Sequence, residues 1–157
     1  MNRTTEYLGN IRRIIKLHES MLKEYVCQEY AMTLTEAAVI SFLYNNPGKD
    51  TAADIVELRM LQKSNVSQAV ESLVKKSLLV RKQDEEDRRK IHLSLTDAAS
   101  PIVQTVEQLC REFHEEVCYG IGAEELDTFS EVNVQIAENV RRAIERRGQA
   151  KGDRKNE

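Results

Sequence analysis

Seven consecutive charged residues, Asp84, Glu85, Glu86, Asp87, Arg88, Arg89 and Lys90, hold the densest chemistry in this sequence. The acids come first and the bases after, with no Gly, Asn or Pro among them to form an ordinary tight turn. A base at the tip of such a loop suits the DNA minor groove, where negative potential is strongest in narrow A·T-rich stretches. A neighbouring acid could hold an Arg by a fork-shaped ion pair and so fix the direction of the loop. The plainer alternative is a salt-bridged solubility turn, which would contribute little energy.

A second set lies upstream, in the stretch KSNVSQ of Lys63, Ser64, Asn65, Val66, Ser67 and Gln68. Asn and Gln side chains can make bidentate contacts with adenine, and Ser can reach base edges or phosphates. Small polar residues also gather at helix starts for local reasons, so taken alone this is equally an ordinary solvated face. The distribution of charge separates the two. Over residues 61–92 the bases Lys63, Lys75, Lys76, Arg81, Lys82, Arg88, Arg89 and Lys90 number eight against five acids, an excess of +3 in a chain of net charge −3. The segment from Glu107 to Glu138 is conversely acidic. Such segregation is expected when one face meets phosphate and another meets a partner or solvent. The modest excess implies salt-sensitive binding of moderate strength.

Cys110, His114 and Cys118 are spaced i, i+4, i+8 along a helical pattern, which is also a metal-ligand spacing. Cys110 lies inside the apolar stripe around Phe113, while His114 and Cys118 drift to its polar edge, so a packed thiol and a surface imidazole are expected instead. The stretch FHEEV (113–117) is not the HExxH pattern, and neither a Gly-rich phosphate loop nor a Ser/His/Asp grouping is visible. No enzymatic activity and no cofactor are expected.

The elements that must position these groups follow from periodicity. The chain has 157 residues, 41% apolar and 31% charged, with few Gly (6) and Pro (2), a helix-friendly composition that fits one domain with one core. Its pI near 5.7 argues against indiscriminate polyanion binding without excluding a local basic face. Three cysteines without close spacing fit neither a disulfide scaffold nor a Cys-rich zinc module. With no signal-like or membrane-length apolar run, the chain reads as a reduced, cytosolic protein with no membrane partner.

Apolar residues recur at helical spacing from Tyr7 to about Tyr30. A second helix opens at Thr33 and Glu36, in capping-box spacing with Thr35 as an alternative cap, and stops at Asn45-Asn46-Pro47-Gly48. A third starts at Thr51, three residues before Asp54, and a fourth carries Val66, Ala69, Val70, Leu73 and Val74 on one face. That leaves Ser64, Asn65, Gln68, Glu71, Ser72 and Lys75 facing outward. The period then changes to two: LLVRK and KIHLSLT flank the charged run as a hairpin, with Ile91, Leu93 and Leu95 buried against a wet His92 and Ser94. Two long helices, about 101–119 and 123–146, close the chain before a polar tail at 148–157.

Short helices followed by a two-stranded hairpin make a winged helix-turn-helix, a mostly α fold in which the last short helix enters a major groove and the hairpin reaches along the duplex. The terminal helices are more apolar than a domain of this size can hide alone, and are expected to bury one another across a two-fold axis.

The stretch LVRKQDEEDRRKIHLSLTDAA resembles the wing of the MarR (multiple antibiotic resistance regulator) family, with its D-x-x-D-R-R run and strand ending in Leu-Thr. LTEAAVISFL, TAADIVELRMLQKSNVSQAVESLVKKSLLVRK and the terminal helices follow in the family's order and spacing. The resemblance implies a single MarR-like domain, with a DNA-binding lobe at about 33–100, dimerisation helices at about 5–30 and 101–147, and a flexible tail at 148–157. It implies a bacterial homodimeric regulator, a repressor released by a small molecule or oxidant, bound to double-stranded DNA at a pseudo-palindromic operator. Residues 62–77 match the recognition helix, Arg89 the wing-tip arginine and Asp87 the acid that braces the wing, with Asp84 as its rival. The family's oxidant-responsive branch makes Cys27, between Tyr25 and Tyr30, a candidate peroxide-sensing thiol, although only Lys23 is near enough in sequence to lower its pKa and a packing role is the simpler account.

The sequence departs from the family where Ser77 replaces a usual Gly before the first wing strand, where Ala99 replaces one after the second, and where Gln62, a poor N-cap, precedes the recognition helix. The expected contacts are Ser64, Asn65, Ser67 and Gln68 in the major groove, Lys63 at its entry, Arg89 in the minor groove, and Lys75, Arg88 and Lys90 on phosphates. The competing expectation is a winged-helix protein-interaction module that does not bind DNA, though such modules generally lose the basic wing.

Overall fold

Asn2 opens the first helix, α1 (Arg3–Leu22), its side chain accepting from the Thr4 amide at 2.9 Å. The structure, a computed structural model, describes residues 2–153. Helicity continues through a π-helical turn (Lys23–Cys27) into a final turn, α2 (Gln28–Tyr30), and ends at Ala31 with φ 50°. Only the end of this apolar stripe reaches the core, through Met21, Leu22 and Val26, whereas Tyr7, Leu8 and Ile15 stay exposed.

Two capping boxes start the next helices where the sequence places them. Thr33, not Thr35, caps α3 (Leu34–Asn45): its hydroxyl accepts from the Glu36 amide at 3.1 Å and Glu36 accepts from the Thr33 amide at 2.8 Å. Thr51 and Asp54 do the same for α4 (Ala52–Arg59). Between them Gly48 turns the chain at φ +83°, a conformation that the missing Cβ makes cheap. Met60 makes the α4–α5 turn at φ 53° without that help. Helix α5 (Lys63–Lys75) then buries Val66, Ala69, Val70 and Leu73. Each large side chain so buried contributes roughly 1.5–3 kcal/mol. Ser77 closes α5 at φ 59°, a left-handed conformation that ordinarily favours glycine.

The hairpin consists of β1 (Leu79–Gln83) and β2 (Ile91–Leu95), antiparallel in a register that pairs Leu79 with Leu95 and Gln83 with Ile91. Burial fades along it. Leu79 and Leu93 are buried and Leu95 is half-buried, but Ile91, expected inside, is 39% exposed because the far end of the wing projects past the lobe. The Leu93 amide donates to the Asp50 carbonyl at 2.8 Å, so the segment before α4 lies beside β2 and makes a single bridge from Thr51 to His92.

A short 3-10 turn (Asp97–Ala99), with Ala99 buried, leads into α6 (Ser100–Val117), which sends Ile102, Val106 and Leu109 into the same core as Phe42, Ile40 and Ile55. This first compact unit ends at Val117, and a second begins at Cys118. The second unit is dominated by α7 (Ala123–Asp153), on which no residue with a described side chain is buried. Its apolar residues Phe129, Val132, Val140 and Ile144 are all exposed. The helix runs to Asp153, beyond the last apolar repeat near Arg146, so 148–153 is helix where a frayed tail was expected; residues 154–157 lie outside the described residues. Among the described residues no helix is long and apolar enough to cross a membrane.

Candidate nucleic-acid interface

Helix α5 presents two faces that follow from its 3.6-residue period. Opposite the buried stripe, Lys63, Ser64, Asn65, Ser67, Gln68 and Lys75 are all exposed. Its N-terminus has no side-chain cap from Gln62 and no acid in its first turn. Free backbone N–H groups, the positive end of the helix dipole and Lys63 thus point the same way, an arrangement that an incoming anion would complete.

The orientation of α5 is set from below. Glu36 of α3 is buried, with only 3% of its surface exposed, and accepts from the Ser72 hydroxyl, the Thr33 amide and Lys76 Nζ at 2.9 and 3.1 Å. Burial pushes this carboxyl up, but the hydrogen bonds from Ser72, Thr33 and Lys76 outweigh it and hold the group below its ordinary range. Ser72, expected to face outward, is therefore turned onto Glu36, because a buried carboxylate needs donors on every side.

The wing turn is built by carboxylates folding back on their own backbone. Asp84 Oδ1 accepts from the Glu86 and Asp87 amides at 2.9 and 2.7 Å, and Asp87 Oδ1 accepts from the Arg89 amide at 3.0 Å. Gln83 adds a bond to the Arg88 carbonyl at 2.8 Å. These local bonds replace the Gly or Asn that a tight turn ordinarily needs. The Asp87 amide first, then His92, then the Glu86 amide lower the Asp84 carboxyl to a pKa of about 2. Both acids named from sequence take part, Asp84 through both of its oxygens and Asp87 through one. The expected fork-shaped pair with an Arg does not form among the described residues. A short carboxylate reaches an amide two residues on more readily than it orders a long guanidinium.

The consequence lies in which cations remain unpaired. Lys76 is paired with Glu36, Arg81 with Glu71 of α5 at 2.9 Å, and Lys82 with Glu85 at 3.7 Å. Lys63, Lys75, Arg88, Arg89 and Lys90 are exposed and take no ion-pair partner among the described residues. An open groove of about 760 Å³ lies between α5 and the wing, lined by Gln68, Glu71, Lys75, Arg81 and Ile91.

The other residues singled out in the sequence fall elsewhere. Cys27 sits half-buried in the π-helical turn, where burial pushes its thiol up more than Lys23 draws it down. Cys110 is hydrogen-bonded by Asn45 Nδ2 at 3.6 Å. No group of three His, Cys, Asp or Glu side chains able to hold a metal occurs among the described residues, so Cys110, His114 and Cys118 do not come together as one.

Sequence reasoning passed over a further cleft of about 480 Å³, lined by Ile14, Leu22, His18, Arg59, Met60 and Phe113 among others. His18 stands edge-on to Phe113 with ring centroids 5.2 Å apart, and burial followed by the nearby Arg59 charge lowers its pKa. Arg59 lies 5.9 Å from the Phe42 ring centroid, donates to the Ser41 hydroxyl at 3.4 Å, and has no carboxylate partner among the described residues. Its only sequence signal is a cation in the last turn of a short helix, which helix-dipole stabilisation explains equally well.

Comparison with known proteins agrees with this geometry. Residues 32–90, covering α3 to the wing tip, match the profile of the MarR family. A MarR-family transcriptional regulator from Silicibacter pomeroyi shares the fold at TM-score 0.73 and 20% identity, over 87% of this chain and 89% of that one. A Listeria monocytogenes protein assigned to the MarR regulators, solved with a 26-mer DNA, matches at TM-score 0.73 and 16% identity over 85% and 87%. BpsR from Bordetella bronchiseptica, whose DNA binding is regulated by 6-hydroxynicotinic acid, matches at TM-score 0.63 and 18% identity over 84% and 98%.

Proposed function

We propose that this chain, a MarR-family winged-helix protein by its fold and its match over residues 32–90, is a transcription regulator that binds operator DNA as a homodimer and is released by a small molecule. The observation that carries the reading is the pattern of ion pairing. Acids tie off Lys76, Arg81 and Lys82, while Lys63, Lys75, Arg88, Arg89 and Lys90 stay exposed without partners on α5 and the wing. Unpaired cations gathered on α5 and the wing support a phosphate-binding surface over a salt-bridged solubility turn. In this reading Ser64, Asn65, Ser67 and Gln68 face base edges in the major groove and Arg89 enters the minor groove.

The exposed apolar residues support the dimer: Tyr7, Leu8 and Ile15 on α1, and Phe129, Val132, Val140 and Ile144 on α7, have no cover in a single chain. The cleft beside His18 and Arg59 supports the effector. An apolar, aromatic-edged space with an unpaired, half-buried guanidinium favours a small aromatic anion, whose charge would complete Arg59.

The test selects duplexes from a random pool with the full-length protein and measures their affinity by fluorescence anisotropy at fixed salt. Arg89→Ala is expected to weaken binding by about 1–3 kcal/mol while sedimentation still reports a dimer. Unchanged affinity would remove the wing from the interface. A monomer that enriches no sequence would favour the protein-interaction reading instead.

A further inference from the structure

We propose that His92 is the positioning residue of the wing and acts as a doubly protonated imidazolium, so that DNA binding weakens with rising pH as the ring loses its second proton. The proposal rests on the DNA-binding reading of the wing given above. His92 stands on β2 with both ring nitrogens engaged: Nδ1 is 2.8 Å from Asp50 Oδ1, and Nε2 is 2.8 Å from Asp84 Oδ2. An ionised carboxylate can only accept, so each contact needs an N–H on the ring, and a neutral imidazole has only one. Both contacts persist together only in the cation.

The two carboxylates belong to different parts of the lobe. Asp84 is the residue whose other oxygen holds the Glu86 and Asp87 amides and thereby shapes the wing turn. Asp50 precedes α4, and its backbone carbonyl already accepts from Leu93. The imidazolium thus ties the turn that presents Arg88, Arg89 and Lys90 to the helix-turn-helix frame. Without it, the far end of the wing keeps its strand pairing but loses its lateral anchor.

The surrounding charges favour the cation. Lys82, opposite His92 in the strand register, is paired with Glu85, and Glu85 and Glu86 line the same open pocket as Asp50 and Asp84. The neutral neighbours are Gln83 and Ser94. On the α4 side, Thr51, bridged to His92, holds Asp54, on which Lys49 and Lys90 act. Hydrogen bonds donated by the ring to Asp84 first and Asp50 second raise the His92 pKa above the ordinary histidine range, against a smaller effect of burial. A raised folded-state value means that the anchor is complete at and below the ordinary histidine pKa and is lost as pH climbs through the higher value. The ring is 32% exposed, so protons exchange freely with solvent.

Two measurements on the full-length protein decide it. Long-range 1H–15N spectra of the histidine rings should show both His92 nitrogens mostly protonated at the pH where an unperturbed histidine is half-titrated, with a midpoint above it that falls in Asp50→Asn. Anisotropy with a duplex selected by the wild type should lose about fivefold in affinity across that midpoint, the low end of an ordinary coupling between linked groups. His92→Gln should flatten the profile, while His18 and His114 are left in place as internal controls. A His92 ring still mostly a single neutral tautomer at the pH where an unperturbed histidine is half-titrated overturns the proposal. Parallel wild-type and His92→Gln profiles, with binding intact, overturn this proposal alone. No wild-type binding to any duplex at any pH overturns the DNA reading itself, and this inference with it.

Discussion

The division between paired and unpaired cations makes a quantitative prediction about salt. Each phosphate neutralised on duplex DNA releases counterions and adds about −0.9 to the slope of log affinity against log salt. Five unpaired cations per protomer, Lys63, Lys75, Arg88, Arg89 and Lys90, set an upper bound near −9 for a dimer in which all ten reach phosphate. Lys75→Ala removes one contact from each protomer and should flatten that slope by about 1.8, so that raising salt from about 50 to 200 mM costs roughly tenfold less affinity than in the wild type. Lys76→Ala is the matched control one residue away. Its ammonium is held at 2.9 Å from the buried Glu36, so it should leave the slope alone and lower stability instead. The assay is anisotropy of a selected duplex across a salt series, with thermal denaturation run in parallel. A Lys75→Ala line parallel to the wild type, or a Lys76→Ala line flattened as much as Lys75→Ala, would refute the claim that ion pairing sorts these cations by role.

Four further outcomes follow from the same geometry. Glu36→Ala should destabilise the first unit by about 1–3 kcal/mol, read as a loss of denaturation midpoint, because it leaves the Ser72 hydroxyl and the Thr33 amide without their acceptor. Since the folded Glu36 carboxyl lies below its ordinary range, its charge-linked contribution should be intact above the normal carboxyl pKa and be lost as pH falls through the lower folded value, narrowing the gap between wild type and variant in acid. Ser77→Gly should raise stability by about 1 kcal/mol, since it relieves a left-handed backbone at φ 59°; no change in melting temperature would argue that the position is unstrained. Cys27 should react with iodoacetamide at neutral pH no faster than free glutathione, because burial keeps the thiol protonated, and a faster rate would revive an oxidant-sensing role. Binding of benzoate, used as an aromatic anion probe, should weaken about tenfold in Arg59→Met if the guanidinium completes the cleft, and equal affinity would move the effector site elsewhere.

Much of the lobe was legible in the sequence because its signals are local. Thr33 with Glu36 and Thr51 with Asp54 are capping boxes that fix two helix starts, and the stripe of Val66, Ala69, Val70 and Leu73 fixes which face of α5 turns outward. What escaped depends on distance in sequence. Ser72 looks outward on a wheel, and only the buried Glu36, thirty-six residues earlier, turns it in. Ile91 fits the alternation of β2, yet it is exposed because alternation says nothing about where a projecting hairpin leaves the core. Arg59 carries only the mark of a helix-end cation, since its further meaning comes from Phe42 and Ser41 on another helix. The helix of 148–153 was missed for a different reason: it lacks the apolar period by which helices were recognised.

The charge reversal at 84–90 shows how the local and distant levels join. Had the acids simply paired with the bases that follow, all three bases would be neutralised and the wing would carry no positive charge outward. Asp84 and Asp87 instead spend their oxygens on backbone amides and on His92, and Glu85 pairs with Lys82, which leaves Arg88, Arg89 and Lys90 without ion-pair partners among the described residues while holding their backbone still. Pre-ordering of this kind matters for a probe that must enter a groove, because each flexible side chain or turn fixed on binding costs about 0.5–1.5 kcal/mol that a braced turn has already lost. The same logic explains why the brace tolerates the absence of glycine: Asx-type bonds impose the turn, so the sequence is free to fill every position with charge. Asp84→Asn tests the trade directly. An amide can still accept from the Glu86 and Asp87 N–H groups, but it carries no charge to hold the His92 imidazolium. The variant should therefore keep the folded hairpin, with the Glu86 and Asp87 amides still protected from hydrogen exchange, and lose DNA affinity at neutral pH. Full affinity in Asp84→Asn would mean that the turn alone, without the anchor to Asp50, is enough to aim the wing.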